Sequence, residues 1–247
     1  MAGRNARPGQ GRRRVTAADA TLLFSVQGGL AKVEFRRSAR ARRVSLRIDA
    51  ARGGVVITLP PRTSRRAGIL LLRAHEAWVA EKLAALPGAI PFVAGATVPV
   101  NGRPHVIVPA AGHGGAWIED GAIRVCGAPE FLARRVTDHL KRLARQRLTA
   151  LAVEKAHASG LSPRCVRVKD TRTRWGSCAP DGTLAFCWRL IMAPEFVQEY
   201  VVAHEVAHLK HMNHGRNFWA FVECLTPHRV AATAWLNSNG QALLRIG

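Results

Sequence analysis

The chain has 247 residues, 48% of them apolar, and carries 37 Lys and Arg against 16 Asp and Glu, a formal charge of +21. That length and apolar content suffice for a buried core, which excludes a wholly disordered chain, and no apolar run approaches the length of a membrane span. The charge predicts attraction to anionic partners, nucleic acid first. The five cysteines are odd in number and form no C-x-x-C pair, so a disulfide framework is not expected and a reducing cytoplasm is.

Arg4, Arg7, Arg12, Arg13 and Arg14, with no acid among them, mark a flexible basic tail over 1–18. Val15 to Val26 contains Asp19 and makes a poor secretory signal. Four short strands follow: Thr21 to Val26, Ala31 to Phe35, Val44 to Asp49 and Val55 to Leu59. Pro60-Pro61 ends the run, Thr63 reads as a cap, and Ala67 to Leu86 reads as one amphipathic helix. Residues 89 to 127 return to short strands, clearest at His105 to Val108 and Ala122 to Cys126. Pro129 opens a long helix from about Glu130 to His157, with Val136, Leu140, Leu148 and Leu151 on its apolar stripe and Gly160 as its stop.

In the last third, Cys165 to Thr173 and Thr183 to Ile191 alternate as strands. Pro180, Asp181 and Gly182 between them predict a hairpin. Pro194 opens a helix at its first position, running to about Met212, and two more helical segments follow Gly215 and Pro227. No internal repeat stands out. The elements add up to an α+β chain: a tail over 1–18, a β-rich region with one helix over 19–127, and a hydrolase domain over 128–247.

The chemistry is concentrated in His204-Glu205-Val206-Ala207-His208. Residues four apart share a helix face, so the two imidazoles can grip one ion, with the carboxylate offset to reach a water on it. This is the H-E-x-x-H arrangement of zinc hydrolases. Ten His and ten Glu placed at random produce it roughly 0.02 times per chain. The apolar flanks Val201, Val202, Ala203, Val206 and Leu209 imply a buried helix, where two imidazoles and a carboxylate need partners.

A catalytic zinc site takes a third protein ligand and leaves one position open. His214 is the first candidate, because Asn213 and Gly215 accept left-handed backbone and can turn the chain back under the ion. Glu223 is the second, giving two imidazoles and a carboxylate. His211 lies about 10 Å along a straight helix from His204, too far to share the ion easily.

The segment Lys169-Asp170-Thr171-Arg172-Thr173-Arg174-Trp175-Gly176-Ser177-Cys178, then Trp188-Arg189-Leu190-Ile191, Tyr200-Val201-Val202, the His-Glu block, Asn213-His214-Gly215 and Phe218-Trp219 resembles the YgjP-like metallopeptidase domain family, relatives of SprT-like minimal zincins. Arg37-Ser38-Ala39-Arg40 and Trp78 resemble it more loosely, so the likeness extends over about residues 20 to 245. It implies a zincin-like catalytic half with one zinc per chain, His204, His208 and His214 as ligands and Glu205 as base. Cys187 departs from the pattern, where Asn is usual, and Gly215 stands where Ser is commoner.

Arg174, Ser177 and Cys187 are candidate substrate-binding residues, and the strand from Thr183 to Leu190 a candidate edge for an extended substrate. Cys178 is a candidate sensitive thiol, while Trp175 reads as a core plug, Gly176 as a tight bend, and Phe218, Trp219 and Trp235 as core. Arg36, Arg37, Arg40, Arg42, Arg43 and Arg47 form a basic cluster suited to phosphates, with only Phe35 near it as an aromatic. Three activities fit this reading: a zinc metallopeptidase acting on a peptide or protein, a metal-dependent hydrolase of a nucleotide or other phosphate ester, and a DNA-associated protease of the SprT kind. The oligomeric state is not legible.

Overall fold

The computed structural model describes residues 21–26, 29–112 and 114–247. The basic segment 1–18 lies outside the described residues. The chain divides into two compact units between Ala85 and Leu86.

In the first unit, β1 (Thr21–Val26), β2 (Gly29–Arg37), β3 (Ser45–Asp49) and β4 (Gly54–Leu59) form a sheet in the order β1-β2-β4-β3. β2 and β4 are parallel and the outer pairs antiparallel. Alternation along the strands sends Ala31, Val33, Phe35, Val55, Ile57 and Leu59 to one face, where Leu72 and Val79 cover them. Those two belong to α1 (Arg65–Ala74) and α2 (Glu76–Ala84), so the single expected helix is broken at His75, whose φ of −117° and ψ of 22° leave the helical region. Ser64, not Thr63, caps α1, its hydroxyl accepting from the Ala67 amide.

Gly68 on α1 is buried where an added Cβ would stand 2.9 Å from both Ile57 Cγ2 and Phe35 Cε1. Gly68→Ala is therefore expected to destabilise this unit by about 1–3 kcal/mol through overpacking, despite the better helix propensity of Ala. A lower denaturant midpoint at unchanged slope would register it.

The second unit opens with a sheet of the same topology. β5 (Thr97–Val100), β6 (Arg103–Ala110), β7 (Ala116–Glu119) and β8 (Ala122–Cys126) run in the order β5-β6-β8-β7, with β6 and β8 parallel. The two four-stranded sheets thus repeat one strand order, although no sequence repeat announces it. Both hairpins of this sheet turn on two residues of positive φ, Asn101-Gly102 at 50° and 76° and Asp120-Gly121 at 50° and 71°. Asn-Gly and Asp-Gly suit such turns because their backbone twist matches that of the strands.

α3 (Leu132–Ala158) packs Val136, Leu140, Ala144 and Leu148 into one core that also takes Ile107, Ile123 and Val125 from the sheet. That shared core places the second sheet in the same unit as the last third of the chain, whereas the sequence reading divided them at 127 and 128.

The following sheet has the order β10-β11-β9, from β9 (Cys165–Lys169), β10 (Gly176–Cys178) and β11 (Thr183–Cys187). The turn at Ala179 to Gly182 does make a hairpin, but it joins β11 to β10 and not to the expected strand β9. β9 instead lies parallel to β11 on its far side. A 3-10 turn over Trp188–Met192 leads to α4 (Glu195–Ala207), and α5 (Arg216–Leu225) and α6 (Arg229–Leu244) complete the unit. No helix among the described residues is long and apolar enough to cross a membrane.

Candidate metal centre

α4 carries the His-Glu block and is fixed at its start by the β5–β6 turn. The Asn101 amide donates to the Ile191 carbonyl at 2.8 Å. Gln198, wholly buried on α4, donates to Asn101 Oδ1 at 2.9 Å and to the Ala193 carbonyl at 2.8 Å. Pro194 is the residue before the first helical position, not the first itself. Val197, Val201, Val202, Ala203, Val206 and Ala207 sink α4 into the core, so the helix that presents the site cannot slide or roll without exposing them.

The helix ends at Ala207, earlier than Met212, and His208 is its C-cap. The chain then turns through 208 to 215 and brings His214 back to His204, their Nε2 atoms 3.1 Å apart. Asn213 and Gly215 do not supply this return by left-handed backbone: Gly215 has φ −77° and Asn213 is not among the residues of positive φ. One potential ligand atom from each of His204, His208 and His214 lies within 4.8 Å of the others. Two nitrogens on one tetrahedral ion, each about 2.1 Å away, stand ~3.4 Å apart, close to the spacing of the His204–His214 pair.

The remaining candidates fall elsewhere. Glu223 pairs with Arg229 at 2.7 Å on the surface. His211 contributes its backbone: its carbonyl accepts from His208 Nδ1 at 3.0 Å. A proton on Nδ1 leaves Nε2 of His208 with a free lone pair, the second-sphere bond by which ligand imidazoles are oriented. Burial pushes the imidazole of His204 down to about 4, with the neighbouring His208 and His214 adding to the shift. Burial also lowers that of His208. Both rings are thus neutral at pH 7, the form that donates to a metal.

Phe218 on α5, fully buried, is shared by all three imidazoles. Its ring centroid is 5.0 Å from His204, 4.5 Å from His208 and 4.7 Å from His214. Trp219 flanks His204 at 5.7 Å and His214 at 5.6 Å. The sequence reading put both in the core; they are also the apolar wall that holds the imidazoles in place.

Glu205 is buried beside this cluster. Burial raises its carboxyl to about 7, against the opposing pull of the Arg174 charge and of the Cys178 amide that donates to it. Gly176 makes room for it: a Cβ there would stand 2.5 Å from Glu205 Oε1 and 2.6 Å from Cγ. Gly176 is thus required for close approach, not for a bend. Gly176→Ala is expected to displace the carboxylate and lower turnover by roughly a hundredfold, the usual penalty for a ~1 Å misplacement. Metal content should stay at the wild-type value, which separates this effect from loss of the imidazole cluster.

A cleft of about 350 Å³ at the imidazoles is lined by Gly176, Ser177, Cys178, Glu205 and Met212 as well. A second hollow of about 250 Å³ adjoins it, walled by Trp175, Tyr200, Val201 and Leu236, with Arg174 exposed at it. Arg174 and Ser177 therefore do line the site. Cys187 does not: it is fully buried and its thiol donates to the Thr171 carbonyl. The strand that borders the cleft is β10. β11, the expected substrate edge, is the middle strand of its sheet, with both edges already paired. Cys178 lies at the cleft, but burial, with the nearby Glu205 and Asp181 carboxylates adding, pushes its thiol up and away from a reactive thiolate.

A family model described as YgjP-like, metallopeptidase domain, matches residues 42–239, most of the chain and every residue of this centre. No curated protein and no solved structure matches the chain.

Proposed function

Since the chain belongs to the YgjP-like metallopeptidase domain family, we propose that it is a zinc-dependent peptidase holding one zinc through His204, His208 and His214, with Glu205 as general base. The observation that carries this reading is the convergence of three imidazoles beside a buried carboxylate. Neutral imidazole nitrogens suit zinc, and three of them leave a tetrahedral position open. Zinc bound there would act as a Lewis acid and make water a nucleophile at neutral pH.

Glu205 takes the proton of the attacking water and returns it to the leaving amine. A carboxyl raised toward 7 by burial holds and releases that proton near neutral pH, and a bound cation opposes the shift. The Cys178 amide fixes the carboxylate's position, and Gly176 admits it to the cleft. An extended peptide lies along β10, with Ser177 and Arg174 contacting it and a side chain entering the hollow of Trp175, Tyr200, Val201 and Leu236. Five free thiols support a reducing, cytoplasmic setting.

A phosphate ester is the competing substrate. The cleft at the imidazoles is lined by no Lys or Arg, and the adjoining hollow by Arg174 alone, which favours a peptide over a polyphosphate. The deciding experiment assays the purified chain on a peptide library and a nucleotide panel side by side, before and after chelation and zinc return. Peptide cleavage that is lost and restored with zinc supports the reading; nucleotide turnover with intact peptides overturns it.

A further inference from the structure

We propose that the first unit binds single-stranded nucleic acid in the groove between β3 and the two helices, with a base stacked on Trp78 and a phosphate held by Arg43. This does not rest on the peptidase reading.

The first observation is where the charge lies. Residues 29–85 carry thirteen Lys and Arg against four Asp and Glu. Residues 86–247, nearly three times as many, carry nineteen against eleven, so the surplus is concentrated in the smaller unit. Three of its four acids are already neutralised: Glu34 by Arg36 and Arg52, Asp49 by Arg52, and Glu81 by Lys82.

The second is a built groove. β3 ends its sheet, so one edge of it meets no other strand among the described residues. Beside that edge is a hollow of about 580 Å³, lined by Val44, Leu46 and Leu71 and by the exposed Arg43, His75 and Trp78. No acid lines it. Trp78 is 42% exposed, so part of a large aromatic ring at this hollow meets solvent.

A cationic groove beside an exposed aromatic is the arrangement that binds single strands, because every base has a face to stack and every residue of the strand a charge to neutralise. From sequence the basic cluster had only Phe35 as an aromatic neighbour, and Phe35 is buried. The fold supplies Trp78 instead, 35 positions further along the chain than Arg43. An extended peptide could also add to the β3 edge, but it would gain nothing from a positive surplus of this size unless it were itself acidic.

The test is fluorescence anisotropy of the full chain with a labelled mixed-sequence single-stranded DNA of about 20 nucleotides, and with its duplex. The single strand is expected to bind more tightly than the duplex, with affinity falling steeply as salt rises. Trp78→Ala should weaken binding about tenfold, and Trp78→Phe should restore most of it. Arg43→Ala should flatten the logarithmic salt slope by about 0.7. Arg167→Ala, an exposed arginine of the second unit, should leave affinity within about twofold. Thermal melting at the wild-type temperature certifies the fold of each variant. A duplex bound as well as the single strand, a Trp78→Ala variant binding like wild type, or an Arg167→Ala variant as damaged as Arg43→Ala overturns the proposal. So does an uncharged peptide whose binding needs Trp78 when the oligonucleotide's does not.

Discussion

Glu205→Gln should lower peptide hydrolysis by roughly a hundred- to ten-thousand-fold, the range over which a positioned general base contributes, while zinc stays at the wild-type stoichiometry. The substitution keeps shape and volume, and the amide oxygen can still accept from the Cys178 amide. What it removes is the group that takes and returns a proton. The three imidazoles do not involve the carboxylate in their mutual geometry, so metal content should not change. Folding should survive too, because a neutral amide is no harder to bury than a carboxyl already pushed up to about 7. Turnover and metal analysis on the same preparation check the prediction. Retained turnover with full metal would remove Glu205 from the mechanism.

His214→Ala should lower zinc affinity by more than the 10- to 100-fold typical of losing a second-sphere partner, because it removes a ligand outright. Its Nε2 lies 3.1 Å from that of His204, and among the described residues no carboxylate joins the cluster to replace it. Glu223→Ala serves as the control. That residue is exposed and paired with Arg229, so its loss should leave zinc at one per chain. His211→Ala is a second control, since the His208 bond is made to the backbone carbonyl, which alanine retains. Metal analysis after dialysis against a weak chelator separates the three. Full zinc in His214→Ala would reassign the third ligand.

The site was more legible than the architecture around it. His204, Glu205 and His208 lie within one and a half turns of helix, so spacing alone puts them on neighbouring faces. His214 is only six residues on, and a helix end with a short return could bring it back whatever the details of the turn. The return does not use the left-handed backbone that Asn213 and Gly215 offered. The assignment of His214 did not depend on that route, because the interval and the residue type are local facts.

Strand pairing was less legible. The alternation of β9 and of β11 is plain, but alternation says which face a residue takes, not which strand lies beside it. β10 has three residues, too short for any periodicity, yet it is the strand that borders the cleft. The break at His75 and the shared strand order of the two sheets were also invisible, because helix breaks and strand order are settled by what packs against them.

Local chemistry by itself therefore determined the candidate site's helix, its carboxylate and the third imidazole of the cluster, since their relations span a few residues and follow from helical geometry. Contacts between residues far apart in sequence decided the rest. Gly176 opposite Glu205, Phe218 against three imidazoles, Cys187 sealed in the interior and Trp78 beside Arg43 depend on which apolar faces find each other when the core closes. Burial is collective: a residue's neighbours are fixed by the least exposed arrangement of all the elements together, and no window of sequence contains that arrangement.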